Sequence, residues 1–496
     1  MPSIQWLPNP VNKIGEFITG CLSDAHVCAR CIVRFLGDRT TEIHSALDHP
    51  SIKPEAKPCP ACLGLLQINH SQVAQQMQAE FEVQKYQMDK KTFCVATQLP
   101  SQLLIRHKAI ILHIDHLLKA SGLLNPLLTN QVPKPAELRD VFKHLIINAF
   151  QNETNNEFQY LVDSPLMVTL AIDHQETMHD YKFLETIPSA KFNYSLKKQM
   201  RCVPTDVIAQ TLTRIGYDEF KSCGQVPPYS PSSMASVISV SYCHSQLYVA
   251  GRYCKLQRGI SNSPWLIGGK RLTEHSVEDL IGKHLDEHFR VSSHKFASAG
   301  REDADVLMLG TGRPFYFELV NARNTACTSQ KDLTSLQEQM NLQNKGLVSV
   351  CDLQMISRDD TSVLKDSAST KSKSYDCLVQ FGSPVDPLVL EGLSKQTNIA
   401  IAQKNPTRVP RRADLLRHKT IETIAFTPKE GNSDKLVMTA MVHLKTSAGT
   451  YVKEFVHGDD GRTVPCLASL LSIDSAKVLE LDVTEIHLDW PNQINV

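Results

Sequence analysis

The sequence lacks net charge, long apolar runs and any detectable internal repeat. Its 52 Lys and Arg residues balance 52 Asp and Glu across 496 residues. That balance excludes the global basic field that would by itself announce a nucleic-acid binder, so such a partner would have to be met by local patches. No stretch approaches the roughly 18 unbroken apolar residues of a membrane-spanning helix, and the best candidates are short runs such as His144 to Phe150. Met1 to Pro10 carries Trp6 and several prolines but neither a basic start nor an apolar core, so it does not read as a secretory signal. The expectation is a soluble, monomeric intracellular protein of the nucleus and/or cytoplasm with no membrane association.

What is present points to more than one domain. The chain is too long for one ordinary hydrophobic core, and 42% hydrophobic residues suit globular packing. Residues 1–70 are rich in Cys, Pro and Gly and read as a small metal-nucleated module. Residues 71–235 read as a mixed α/β region, with an amphipathic helix over Ser71 to Lys91 and clear helical periodicity over Ala136 to Phe150. Ser230 to Ser233 behaves as a linker, and a third region spans 236–496. In that region Val237 to Val249 reads as one strand, and Ser276 to Phe289 as a helix capped by Ser276 with Asp279. Val306 to Leu309 and Phe315 to Val320 read as a hairpin turning through Gly310 and Gly312. Asp359 to Lys373, rich in Ser, Asp and Lys, reads as a loop. The expected class is α+β, with helices on a mixed, largely antiparallel sheet.

Fourteen cysteines without an export signal suit thiols and metal ligands better than a disulfide framework. Cys28-Ala29-Arg30-Cys31 and Cys59-Pro60-Ala61-Cys62 place two thiolate pairs on short knuckles, the pattern that closes a tetrahedral zinc site. Four thiolates leave no open coordination position, so the metal would be structural. Pro58 to Cys62 satisfies half of a zinc-deaminase signature, but no His-x-Glu precedes it to supply the other ligand and the proton-transfer group.

A loop reading Gly300-Arg301-Glu302-Asp303-Ala304-Asp305-Val306 lies between an expected helix and strand, where a side chain can be presented to a cleft. Taken alone, a charged turn of this kind is more often a solvated, salt-bridged loop. The run Phe296 to Phe315, FASAGREDADVLMLGTGRPF, changes the weighing. Together with Leu247 to Tyr253, Lys373 to Val379, Thr446 to Pro465 and the two CxxC segments, it resembles the archaeal and eukaryotic tRNA pseudouridine 54/55 synthase family. The resemblance spans nearly the whole chain in the family's order. It implies a zinc-bearing, THUMP-like RNA-binding N-terminal region, a pseudouridine synthase domain, a transfer RNA partner and no organic cofactor.

By that resemblance Asp303 is the essential carboxylate, Lys453 its ion-pair partner and Tyr375 the residue that stacks on an extruded uracil. Leu470 matches an apolar residue near the target base, while Leu307 stands where the family usually has arginine. Without the resemblance, Lys453 would read as a solvated helix lysine and Tyr375 as a filled strand edge. Lys404, Arg408, Arg411, Arg412, Arg417 and Lys419 fall within sixteen residues holding one acid, Asp414, and form the expected phosphate-binding strip. Arg252 and Lys255 are expected to add a second RNA contact, with Arg301 and Tyr451 beside the substrate. The rival expectations are an inactive RNA-binding protein on the same scaffold and a zinc-dependent hydrolase or deaminase.

Overall fold

A computed structural model describes residues 13–47, 57–123, 132–187, 190, 204–409, 414–429 and 436–494. The chain divides into two compact units, one built from residues 1–86 and 90–244 and the other from 87–89 and 245–496. Among the described residues no helix is long and apolar enough to cross a membrane.

The first unit carries a four-stranded sheet in the order β2-β1-β3-β4, with β1 at Thr92–Gln98, β2 at Gln159–Tyr160, β3 at Leu166–Asp173 and β4 at Ser236–His244. β1 runs parallel to β2 and β3, and β4 closes the edge antiparallel to β3. The expected amphipathic helices form as His70–Gln84 and Leu138–Glu153. Asn69 starts the first by accepting a hydrogen bond from the Gln72 amide at 3.2 Å, and Lys85, at φ 55°, ends it. The apolar stripe of the second is sealed by Phe142 and Phe150, both fully buried with Phe93 of β1.

The second unit holds a ten-stranded sheet. Its strands are β5 (Leu247–Lys255), β8 (Ser293–Ser298), β9 (Leu307–Val320), β10 (Val348–Ile356), β11 (Lys373–Val385), β12 (Thr397–Gln403), β13 (Arg417–Pro428), β14 (Val437–Thr446), β15 (Thr463–Val464) and β16 (Ala476–Ile486). A separate small hairpin is made by β6 (Leu266–Ile267) and β7 (Lys270–Arg271). The order is β10-β5-β9-β16-β11-β14-β13-β12-β15, with β8 on β9. Every pairing is antiparallel except β9 with β16, where only Leu307 with Asp482 and Met308 with Val483 pair, in parallel. The class expected from sequence, α+β with a mixed, largely antiparallel sheet, is the one observed.

Three local expectations are corrected. Val237 to Val249 is not one strand but nearly all of β4 and the start of β5, interrupted at Ser245 and Gln246. The expected hairpin through Gly310 and Gly312 is the single strand β9. These glycines have φ of 63° and 79°, and a Cβ would lie 1.9 Å from the Thr484 carbonyl oxygen at Gly310 and 2.9 Å from the Tyr253 oxygen at Gly312. They permit close backbone approach and a bulge, not a reversal of the chain. Finally, the polar stretch after Asp359 contains a helix, Thr361–Thr370. Ser357 and Asp360 cap its approach reciprocally, and buried Leu364 anchors it.

Candidate active site and metal-binding cluster

The loop between β8 and β9 is fixed from beneath. Glu302 and Arg313, each 1% exposed at the side chain, form an ion pair with Arg313 Nε 2.8 Å from Glu302 Oε2. The Tyr253 hydroxyl donates to the same carboxylate at 3.0 Å, Asn262 donates to the Tyr253 oxygen, and Arg313 Nη1 donates to the Ala299 carbonyl. Lys255, fully buried, donates to the carbonyls of Ile260 and Asp303 at 2.8 and 2.9 Å. Burial lowers its amine to about 8, against the partial opposition of Glu302. Gly300 turns the loop at φ 87°, where a Cβ would meet Lys373 Nζ at 2.8 Å.

This network leaves Asp303 at the mouth of a cavity of about 630 Å³. Its side chain is 47% exposed, with Oδ2 at 3.0 Å from Arg408 Nη1 and 3.4 Å from Lys453 Nζ. The carboxylate is therefore open to solvent and held between two cations. Lys453, in the first turn of the helix Val452–His457, lies closer to Asp305, at 2.9 Å, than to Asp303. Although burial opposes it, that contact holds the Asp305 carboxyl below its usual value. Arg408 Nε is anchored at 2.7 Å on Glu454, whose side chain is 3% exposed.

Tyr375 lies on β11 and lines the same cavity, and burial raises its phenol. Leu481 and Val483 of β16 supply apolar wall. Arg301, Arg313, Lys373, Arg408, Arg417, Lys419 and Lys453 outnumber Glu302 and Asp303 around the rim and floor. A neutral chain thus gathers positive charge locally. Tyr451 also lines the cavity, its backbone amide donating to Gln403 Oε1 at 3.0 Å.

Several expected contacts fall elsewhere. Arg252 is 6% exposed and donates to the carbonyls of Thr311, Gly312, Leu488 and Trp490. Arg252 and Lys255 hold backbone in the second unit, and neither lines the cavity. Leu470 packs against the core at the end of a short helix, and Leu481 and Val483 stand at the cavity in its place. Lys404 is exposed away from the cavity lining, and Arg411 and Arg412 lie outside the described residues. Leu307 starts β9, where its amide donates to Asp482. Arg258 pairs with that same carboxylate at 2.8 Å and reaches the Asp305 carbonyl at 2.7 Å. No motif reading singled out Glu302, Arg313 or Glu454. Arg313 and Glu454 were signalled only as charges set among apolar residues in segments that become strand and buried helix, and Glu302 was one acid among several in a charged loop.

In the first unit Cys28, Cys31, Cys59 and Cys62 converge, all buried, with their sulfurs within 4.8 Å of one another. Cys28 and Cys62 sulfurs are 3.9 Å apart, against the roughly 3.8 Å edge of a tetrahedron with 2.3 Å metal–sulfur bonds. The donor set therefore fits a metal. Buried arginines support both knuckles: Arg30 donates to the Leu66 carbonyl at 2.7 Å and Arg106 to the Pro60 carbonyl at 3.0 Å. Gln67 accepts from the Cys59 amide at 2.7 Å.

The sequence profile described as Pus10, C-terminal, matches residues 248–487, and that described as Eukaryotic Pus10, N-terminal, matches residues 59–242. The tRNA pseudouridine synthase Pus10 of Xenopus laevis is 34% identical over 88% of this chain and 81% of its own length. That of Homo sapiens is 33% identical over 87% and 79%. That of Thermofilum pendens is 40% identical over 49% of this chain and 52% of its own. With a cavity whose carboxylate, tyrosine and lysine come from the matched segments and relatives aligned over most of both lengths, the chain belongs to the Pus10 family of tRNA pseudouridine synthases.

Proposed function

We propose that this chain isomerises uridine to pseudouridine in the T-arm of transfer RNA, at position 54 and/or 55, with Asp303 as the catalytic carboxylate. The observation that carries this reading is Asp303 Oδ2 held between Arg408 and Lys453 at the mouth of the cavity that Tyr375 lines. The reaction breaks the C1′–N1 bond, turns the uracil, forms C1′–C5, loses the C5 proton and returns a proton to N1. Nothing is oxidised or reduced, so no organic cofactor is required. Cleavage leaves positive charge at C1′, which a carboxylate stabilises as an ion pair or captures as an ester.

The Tyr375 ring stacks on the flipped uracil, and Leu481 and Val483 exclude water beside it. Arg301, Arg417 and Lys419, with Arg411 and Arg412, contact phosphates. Extruding a stacked base costs a few kcal/mol, which grip elsewhere on the RNA offsets. The first unit, with its THUMP-like region and a structural zinc on Cys28, Cys31, Cys59 and Cys62, supplies that grip. Purified protein is expected to form pseudouridine in an unmodified tRNA transcript, and Asp303→Asn to abolish product while leaving tRNA binding within about threefold. An inactive wild type that still bound tRNA would favour a binding protein on this scaffold, and modification mapped outside the T-arm would overturn the site assignment.

A further inference from the structure

The cavity floor holds a cation that the reaction scheme above does not use. Lys373 opens β11 two residues before Tyr375, so the alternation of the strand puts both side chains on one face. Both line the cavity. Lys373 Nζ sits beside Gly300 at the base of the catalytic loop, close to Arg313 Nη1, which also abuts Gly300. Arg313 is neutralised by Glu302, and its Nη1 already donates to the Ala299 carbonyl. Lys373 has no carboxylate partner among the described residues, and its amine makes no hydrogen bond to them. Arg408 and Lys453 contact Asp303, whereas Lys373 makes no contact with it and shares a strand face with Tyr375 in the same cavity.

Resting on the proposed reaction, we infer that Lys373 is a further catalytic residue whose ammonium group donates a hydrogen bond to a carbonyl oxygen of the flipped uracil. When C1′–N1 breaks, the electron pair stays with the base, and the uracil becomes an anion with its charge spread over N1, O2 and O4. The cavity then separates the developing charges, with Asp303 beside the C1′ cation and Lys373 beside the uracil anion. The hydrogen bond strengthens as negative charge grows on oxygen, so it favours the transition state over bound RNA. It moves no proton, and the same contact serves the anion until C5 attacks C1′.

The groups facing Lys373 are Arg313 of β9, Glu302 of the catalytic loop and Lys419 of β13. Burial first, and then Arg313, lowers its amine to about 8, so its charged form is lost as pH rises through that value.

The test uses full-length protein and an unmodified tRNA transcript, with single-turnover pseudouridine formation and tRNA binding measured on the same preparations. Lys373→Met is expected to slow the chemical step by at least about 100-fold, the scale of losing one donor to a developing anion, while tRNA affinity stays within about threefold. Lys373→Arg is expected to recover part of the rate and to remove a decline of the wild-type rate above pH ~8, because a guanidinium stays charged there. Lys255, the other amine lowered to about 8, is unchanged in both variants and serves as an internal control. A Lys373→Met rate within threefold of wild type would overturn the inference. So would a loss confined to tRNA affinity, which would make Lys373 a phosphate contact. If wild type is active and Asp303→Asn inactive, either result refutes the role of Lys373 alone; an inactive wild type refutes the underlying reaction.

Discussion

Removing Arg313 tests whether the catalytic loop rests on its buried ion pair. Arg313→Met replaces the guanidinium with an apolar chain of related length and leaves Glu302, 1% exposed at the side chain, with the Tyr253 hydroxyl as donor but no cation in direct contact. Breaking a buried pair from one side costs about 3–5 kcal/mol, because the remaining charge is stranded away from water. For a unit of this size that corresponds to a fall in melting temperature of roughly 6–20 °C. Lys395→Met removes an i,i+4 pair with Glu391 whose side chains are 72% and 60% exposed, and should cost little or no stability. Thermal unfolding followed by the fluorescence of Trp490, 8% exposed in the second unit, compares the two variants directly. Glu302→Leu combined with Arg313→Met should recover much of the single-variant loss, since no charge is then stranded. If Arg313→Met destabilises no more than Lys395→Met, the pair does not hold the loop and this account of the site is wrong.

Other consequences are equally concrete. Gly310→Ala puts a methyl group 1.9 Å from the Thr484 carbonyl at a φ of 63°, so it should destabilise the second unit by several kcal/mol, visible as a lowered denaturant midpoint. Chelation, or Cys31→Ser, should lower the melting temperature of the first unit and weaken tRNA binding before it slows single-turnover chemistry at saturating protein; reversible loss of chemistry in a folded protein would contradict a structural metal. His107, stacked on Phe35 with Arg34 Nη1 3.1 Å from its Nδ1, is pushed down to about 3 by burial and then by Arg34. The unfolded chain takes up this proton near pH 6.5 and the folded chain only near 3, so acid favours unfolding across that window. Stability of the first unit should fall by a few kcal/mol as pH drops from 6.5 toward 3, and His107→Phe should flatten the part of the slope due to this group; an unchanged slope would refute the assignment.

Where residue chemistry and chain spacing coincide, the sequence was legible. Asp303 in its charged loop, Lys453 in the first turn of its helix and Tyr375 on its strand were all placed through family-like segments, and the structure brings all three to one cavity. The four cysteines were readable because CxxC spacing has few other uses, and they converge. Glycine was ambiguous. Gly310 and Gly312 serve either a reversal or a close approach, and only the position of β16 and β5 against β9 decides. Basic residues were ambiguous in the same way, since nothing local distinguishes an arginine reaching RNA from Arg252 reaching four carbonyls. The Glu302–Arg313 pair spans a strand bulge, and pairing across such a bulge leaves no periodic trace.

The short parallel contact between β9 and β16 makes the large sheet two half-sheets joined at a seam. One half brings Asp303 and Arg313; the other brings Tyr375, Lys453 and Leu481. The reactive geometry therefore straddles a join made by two residue pairs rather than resting on either half. A change that slackened this seam could leave each half intact and still pull the carboxylate out of step with the face that grips the base.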